Sequence, residues 1–399
     1  MKFILVFVFS LWVFPLHAWN LSDHQAIGRI ALQEVAGNWA LDRPVAVHPL
    51  DPLLKKLPPE IGDPWRFSSW LGINPAIDIS RPLPEHLGRA RLTPLEILSA
   101  YAVDPDDGRD EDLFNRDKKG RPVARYKDQK WFGSLSGPSS RAFRHIEKPP
   151  FSFRHPVSTF GIPFRAVGEA TRRTEIWFYA SQLAFALDED YWGWRFLANA
   201  LHYLQDLHNP YHAAQITPRL FLKGNLAYLQ WGRSFGWIGT FAHLLSNSHG
   251  FYENLIEQSG RLAQEKEEVL NALKGSGTLP SPGGPEPLAL RARDESNPFF
   301  PRLLDAVTRA SDPKLLTSYT YAWWDPQNLE PPEKLLRIGQ ASQKGRTELF
   351  RITRDRFRSA GLHTRTLVEM AIREMTRRTP GHALEKLKEL LGEPSPLPR

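Results

Sequence analysis

Two histidine–carboxylate pairs in the chain have the spacing that places both side chains on one face of a helix. His202 and Asp206 are four residues apart, and His249 and Glu253 repeat the spacing further along. Side chains at i and i+4 lie about one helical turn apart on the same face. Imidazole and carboxylate groups at such positions are ligands for borderline divalent ions such as zinc. Each pair alone is more often a surface ion pair, but the two together indicate a metal site.

A third histidine and the absence of cysteine strengthen this interpretation. His212 follows Pro210, which ends or kinks a helix, so the His212 side chain can approach the same centre from another direction. The sequence contains no Cys and 13 His. The composition excludes a disulfide framework, thiolate metal ligands and a cysteine nucleophile, and leaves histidine and carboxylate ligands available.

The first residues have the pattern of a secretory signal peptide. Lys2 precedes an apolar run over residues 3–16, and Ala18 supplies the small residue before a cleavage site. The run is shorter than the roughly 18 apolar residues that a membrane span needs. The pattern predicts a signal peptide over residues 1–18 and a secreted or periplasmic mature protein, with an uncleaved anchor as the alternative.

Cleavage after Ala18 makes Trp19 the mature N-terminus. A free α-amino group and the neighbouring carbonyl oxygen can together chelate one metal ion, and His24 follows five residues later near the start of a predicted helix. We therefore expect Trp19 to be a ligand through its backbone. The alternative is that Trp19 is an arbitrary first residue.

Helical periodicity dominates the rest of the chain and predicts an all-α fold. Apolar residues recur at helical spacing in four long segments, and neither an internal repeat nor an alternating strand pattern is found. These segments are residues 21–35, 169–187, 191–207 and 344–378.

Composition divides the chain into an expected catalytic domain, a linker and a C-terminal region. The segment GSGTLPSPGGPE begins at residue 275 and is typical of a linker. We expect an all-α domain over 19–274, a Pro/Gly-rich linker over 275–300 and a basic helical region over 301–399. Residues 340–399 hold 13 Lys+Arg against 7 Asp+Glu, so the positive charge is C-terminal. A basic face can meet phospholipid or nucleic acid, but it is as often a solvated helix surface.

The order of these motifs resembles the zinc-dependent phospholipase C / single-strand nuclease superfamily. The resemblance rests on Trp19-x4-His24, then on HYLQD-x5-H, then on H-x3-E, and it covers about residues 19–260. The segment HYLQDLHNPYHAAQIT is most similar to the bacterial phospholipase C branch. The resemblance implies a multi-helix bundle of the zinc phospholipase C type with extra C-terminal helices, and three zinc ions in one cleft.

The resemblance also assigns ligands. It implies one ion held by Trp19, His24 and a bridging Asp206, and another held by His202, Asp206, an earlier Asp and an earlier His. A third ion is implied at His212, His249 and Glu253. Asp104 is the preferred earlier carboxylate with Asp106 as the alternative, and His145 is the preferred earlier histidine with His155 as its competitor.

The activity that the resemblance implies is hydrolysis of a phosphodiester by water activated between metal ions. Asp104 is expected to orient that water or accept its proton, which makes it the expected catalytic residue. The favoured enzyme is a phospholipase C that cleaves the glycerol-side P–O bond. A single-strand nuclease is the alternative, and a metal-stabilised binding module is the non-enzymatic one.

One segment bears on the substrate. No acidic residue occurs between Asp206 and Glu253, and the stretch from about Ile216 to Leu245 is rich in aromatic and apolar residues. Such a segment suits contact with a phospholipid surface. A buried helical hairpin and a platform for stacking single-stranded bases are the alternatives. No protein partner can be inferred.

Overall fold

Helices account for most of the structure, which confirms the all-α expectation. A computed structural model of the chain describes residues 21–33, 39–73, 79–106, 144–149, 167–214, 237–258, 263–280, 282–311, 316, 340–377 and 379–393. The first helices are α1 (Leu21–Gln33), α2 (Trp39–Asp42), α3 (Asp51–Leu54), α4 (Pro64–Trp70), α5 (Pro94–Tyr101), α6 (Ala170–Ala186), α7 (Asp190–Asp206) and α8 (Pro210–Ala213). The later helices are α9 (Trp237–Gln258), α10 (Ala263–Asn271), α11 (Pro285–Ser296), α12 (Phe300–Ala310), α13 (Gln340–Met375) and α14 (Pro380–Leu391).

The remaining regular structure is small. Two 3₁₀ turns cover Pro84–His86 and Asn297–Phe299. Strand β1 (Val45–Ala46) pairs antiparallel with β2 (Arg91–Leu92), and β3 (Glu147–Lys148) pairs antiparallel with β4 (Val167–Gly168). Among the described residues, no helix is both long enough and apolar enough to cross a bilayer.

Helices α6 and α7 form an antiparallel hairpin at the centre of the fold. Every residue of α7 from Tyr191 to Asp206 is buried, so this helix has neighbours on all sides. The two helices approach closely at Gly193, where an added Cβ would lie only 2.3 Å from the Phe185 ring. Only glycine fits at this position without displacement of the Phe185 ring.

Helix α5 leads into a turn that lies beside the C-terminal end of α7, where His202 and Asp206 are located. Its start is fixed by a capping box, in which Thr93 and Glu96 each bond to the backbone of the other. The helix packs against both α1 and α7. Its end at Tyr101 therefore places the following turn, residues 102–106, beside the buried face of α7.

Helix α13 packs the C-terminal part of the chain against α1, the first described helix. It runs for 36 residues and packs against α12, α1 and α7. The Arg365 guanidinium lies buried beneath α1 and donates to the carbonyl oxygen of Leu273 at 2.7 Å and to that of Ala31 at 3.4 Å. The C-terminal region is consequently part of the same core as the predicted catalytic domain.

The linker predicted over 275–300 is mostly helical, and this part of the prediction was wrong. Helix α11 begins at Pro285, and its Leu288, Ala289 and Ala292 side chains are fully buried in the main hydrophobic core. Pro and Gly obscured it in the sequence, since Gly284 and Pro285 are favourable at a helix start.

The basic residues of α13 are largely neutralised by nearby carboxylates. Arg351 contacts Glu348 and Asp355 on its own helix, and Arg354 donates to Glu268 of α10 at 3.0 Å. Pairing of this kind reduces the positive field that the helix could present to a membrane.

Three predictions concern residues outside the described ranges. They are the signal peptide over 1–18 with Trp19, the competing ligand His155, and most of the segment from Ile216 to Leu245.

Candidate metal centre

The centre is built on the last two turns of α7. His202 and Asp206 project from the same face, as the i,i+4 spacing predicts, and His202 Nε2 lies 3.4 Å from Asp206 Oδ2. Both side chains are completely buried. A buried carboxylate of this kind is costly unless a cation or several hydrogen bonds compensate it.

Helix α1 contributes His24 to the same cluster. His24 Nε2 lies 3.2 Å from Asp206 Oδ1, and the other ring nitrogen, Nδ1, lies 2.8 Å from Oε1 of Gln205. Because Asp206 and Gln205 are adjacent on α7, one short stretch of helix fixes both edges of the imidazole ring.

His145 supplies the next imidazole, from the short segment before β3. His145 Nδ1 lies 2.7 Å from Asp206 Oδ2 and 2.9 Å from His202 Nε2. These three side chains place one ligand atom each within 4.8 Å of the others, which is close enough to share one ion. Thus the two oxygens of Asp206 face different histidines, Oδ1 towards His24 and Oδ2 towards His145.

The structure brings Asp106 to the cluster, and not the expected Asp104. Asp106 Oδ1 lies 3.8 Å from the nearest nitrogens of His145 and His202, and Oδ2 lies 3.8 Å from His24 Nε2. Asp106, His24 and His202 form another group that could hold an ion.

Asp104 instead forms a buried ion pair with Arg195. The Arg195 Nε donates to Asp104 Oδ2 at 3.1 Å, and its guanidinium lies 4.2 Å from the centre of the Tyr101 ring. Arg195 precedes His202 by seven residues on α7, a distance of about 10.5 Å along the helix axis. The turn after α5 thus places Asp104 beside Arg195 and Asp106 beside His202, at two different heights along α7. Sequence spacing alone does not predict this difference.

A third group lies where α8 meets α9. His249 Nε2 lies 2.6 Å from Glu253 Oε1, in the predicted i,i+4 arrangement, and 3.2 Å from His212 Nε2. All three side chains are completely buried, and Tyr211 stacks on the His249 ring with the ring centres 4.9 Å apart. Burial raises the pKa of Tyr211 well above its ordinary value, so its phenol stays neutral.

The orientation of the histidines fits metal ligation. His202 Nδ1 lies 2.7 Å from the carbonyl oxygen of Ala102, and His212 Nδ1 lies 2.6 Å from that of His145. A carbonyl oxygen only accepts hydrogen bonds, so each Nδ1 carries the ring proton. In the neutral ring the Nε2 lone pair then faces the cluster, which is how metal-binding histidines are held.

The spacing of the ligand atoms is a second test of fit. Two nitrogens on one tetrahedral zinc ion lie about 3.3 Å apart, because each Zn–N bond is about 2.0–2.1 Å. The 3.2 Å between His212 Nε2 and His249 Nε2 matches this value. Buried groups of His, Asp and Glu that could hold metal ions are therefore present in the described structure.

Two residues of the centre were missed by sequence reasoning. Gln205 orients His24, and Asn209 donates from Nδ2 to Glu253 Oε1 at 3.1 Å. The Asn209 side chain also accepts a hydrogen bond from the Tyr211 backbone N–H and so caps α8. The Asn-Pro pair was a signal for this cap, since Asn is favourable at a helix N-cap and Pro at the next position.

The other predicted ligands have mixed outcomes. Of the two candidate histidines, the structure places His145 in the cluster, while His155 and Trp19 lie outside the described ranges. Comparison of the chain with family models, curated proteins and solved structures gave no match.

Proposed function

We propose that the chain is an exported, zinc-dependent phosphoric diester hydrolase of the phospholipase C type. One observation carries the proposal: the two oxygens of Asp206 face different histidines, 3.2 Å from His24 Nε2 and 2.7 Å from His145 Nδ1. A carboxylate in this arrangement suits a bridge between two metal ions. Paired ions are a common solution for displacement at phosphorus.

The nature of the ligands favours zinc. Each group combines imidazole nitrogen with carboxylate oxygen, whereas magnesium and calcium sites use oxygen almost alone. When bound, such ions lower the pKa of a coordinated water toward 7 and neutralise the charge of a phosphate group. The motif order from Trp19 to Glu253 supports three ions, as it resembles the trinuclear phospholipase C and nuclease enzymes.

Within this proposal, residues of the chain orient the ligand side chains, and one carboxylate accepts a proton from the reacting water. The carbonyl oxygens of Ala102 and His145 and the side chain of Gln205 hold three imidazoles in one protonation state. Asp106 takes the role expected of Asp104, because its two oxygens lie 3.8 Å from three imidazoles. At that position it can orient a water or accept its proton.

The proposed substrate is a phospholipid. The segment HYLQDLHNPYHAAQIT resembles the phospholipase branch more than the nuclease branch, and the chain from 207 to 252 lacks acidic residues. Both features suit a cleft that opens towards a lipid surface. The proposal also includes export, which rests on the signal-peptide pattern of residues 1–18.

The test compares three substrates on one metal-loaded protein. Phosphatidylcholine vesicles, single-stranded DNA and bis(p-nitrophenyl) phosphate should be assayed side by side, with zinc content measured by elemental analysis. We expect about three zinc ions per chain, hydrolysis of the lipid and of the small diester, and little cleavage of DNA. Faster cleavage of DNA than of any phospholipid would instead identify a single-strand nuclease.

The variants His202→Ala and Asp206→Asn should lose hydrolysis of the lipid and of the small diester together with bound zinc. His48→Ala provides the matched control, because His48 is partly exposed and pairs with Glu189 away from the centre. If the metal-depleted variants kept full activity, the proposed hydrolytic centre would be wrong. A protein that binds zinc but cleaves no diester would support the non-enzymatic alternative.

A further inference from the structure

A pocket lies away from the candidate metal centre, between α6, the start of α11, the end of α13 and the start of α14. Its volume is about 360 Å³, which is within the size range of small-molecule sites. Its lining includes none of the residues that form the metal-binding groups. An inference about this pocket is therefore independent of the proposed hydrolase.

A buried amide faces this space. Gln182 lines the pocket and is only 8% exposed, yet no acceptor among the described residues lies within hydrogen-bond distance of its Nε2. Burying an amide donor without an acceptor destabilises a protein, so such groups are rare unless something binds them. An acceptor on a bound ligand would satisfy this donor.

Two helices also direct their N-terminal ends to the pocket. The N-cap residues of α11 and α14, Gly284 and Thr379, both line it, and each helix is 12 residues long. Thr379 makes no side-chain capping bond, and Gly284 has no side chain to make one. The N-terminus of a helix carries a partial positive charge and favours an anion.

The charged residues of the lining also favour an anion. The lining holds two arginines, Arg373 and Arg377, and one carboxylate, Glu374, which Arg377 contacts at 2.6 Å. Arg373 contacts Glu369, which is not part of the lining, at 3.6 Å. The lining also includes the apolar side chains of Phe178 and Met370. A ligand that satisfies both parts has a negatively charged end and an apolar body.

We propose that this pocket binds a small organic anion, a carboxylate or a phosphate monoester that carries a short apolar chain. The anionic oxygens accept from Gln182 Nε2 and lie near the helix N-termini and the arginines. The apolar chain contacts Phe178 and Met370.

The probes are sodium hexanoate and hexyl phosphate, with hexanol as the neutral analogue and inorganic phosphate as the anion without a chain. Binding to the full, metal-loaded protein is measured by calorimetry. We expect saturable binding of at least one anionic hexyl probe, and binding at least tenfold weaker for hexanol and for inorganic phosphate. Comparison of the two hexyl probes shows whether the natural ligand is a carboxylate or a phosphate ester.

The variant Gln182→Leu removes the buried donor at nearly constant volume. It should weaken binding of the anion about tenfold or more, because a hydrogen bond to a charged group is lost. Phosphate that binds at the metal centre would still bind to this variant. The variant therefore distinguishes the pocket from the metal centre. A thermal melt without ligand checks that the variant is folded, and Gln182→Met serves as a second variant if it is not.

Arg377→Ala and Arg358→Ala form a matched pair. Arg358 lies in α13 and Arg377 in the turn just after it. Both are mostly exposed, and each pairs with a carboxylate three residues earlier. Only Arg377 lines the pocket. Arg377→Ala should weaken anion binding several-fold in a salt-dependent manner, while Arg358→Ala should leave it unchanged.

Three results would overturn the proposal. They are absence of saturable binding by either anion at millimolar concentration, equal affinity for hexanol, and undiminished affinity in Gln182→Leu or its Met substitute.

Discussion

The Nδ1 atom of His212 donates a hydrogen bond to the main-chain carbonyl oxygen of His145 over 2.6 Å. This bond joins two of the groups that could hold metal ions, since His145 belongs to the group around Asp206 and His212 to the group with Glu253. The backbone of one ligand thus fixes the ring orientation of another. Loss of order in one group is therefore expected to weaken the other.

The two aspartates of the turn after α5 give the first prediction. Asp106→Asn should lower the bound metal by at least one ion per chain, because it removes a carboxylate next to three imidazoles. Asp104→Asn should keep the metal but lower the free energy of unfolding by about 3–5 kcal/mol, because the Arg195 charge loses its buried partner.

Elemental analysis and thermal melts of both variants check this prediction. Loss of metal from Asp104→Asn with retention in Asp106→Asn would reverse the assignment and restore the order expected from sequence.

Asn209 gives the second prediction. Asn209→Ala removes a donor to Glu253 and should weaken the affinity of the third group for zinc about 10–100-fold, as is usual when a residue that orients a ligand is replaced. Asn199→Ala is the control, because Asn199 is also a buried asparagine but lies on α7, where it lines a small cavity beside Asp104. Titration against a chromophoric chelator measures the affinity, and equal values in the two variants would contradict the role of Asn209.

Removal of metal gives the third prediction. Each ion that binds only the folded chain adds about 2.7 kcal/mol to the free energy of unfolding when free metal is at 100 times its dissociation constant. Chelation should consequently lower the melting temperature, and added zinc should restore it. In Asp206→Asn the chelator should have a much smaller effect. An equal shift in this variant would mean that the stabilising ions bind elsewhere.

Glu175 on α6 gives a prediction about pH. Its burial, followed by the nearby charge of Glu286, raises the pKa of Glu175 above its ordinary value of 4.5. Between these two pKa values the unfolded chain has lost the proton that the folded chain still holds. The free energy of unfolding therefore falls as the pH rises above 4.5 through this window.

Glu175→Gln removes that dependence. The variant should be more stable than the parent chain at pH 7, and the difference should vanish near pH 4. Urea unfolding at both pH values measures this, and an unchanged difference across the range would show that another group is responsible.

Much of the centre follows from local spacing. Within each of the pairs His202–Asp206 and His249–Glu253, the side chains are close because they are one helical turn apart. His212 lies next to His249 because α8 begins at Pro210. Helical periodicity likewise predicted α6 and α7 from apolar residues alone.

The errors arose where the outcome depends on the direction of a turn or on distant packing. Asp104 and Asp106 are two residues apart in one turn. Asp104 pairs with Arg195 of α7, whereas Asp106 reaches the histidines, and local spacing does not distinguish the two. The linker prediction failed because Gly284 and Pro285 occur both in linkers and at helix starts. Helix α11 packs against α6, and this long-range contact cannot be predicted from local composition.

The contact between Arg365 and the carbonyl oxygen of Ala31 spans 334 positions of the chain. Helix α1, which carries His24, therefore lacks its final neighbour until almost all of the polypeptide has been synthesised. Contacts of such high sequence separation slow folding, because a long loop must close before they form. A chain whose core closes this late stays incompletely folded until its C-terminal helix is available. The ordering of His24 against Gln205 then becomes one of the last steps of folding, and the proposed metal centre is complete only after it.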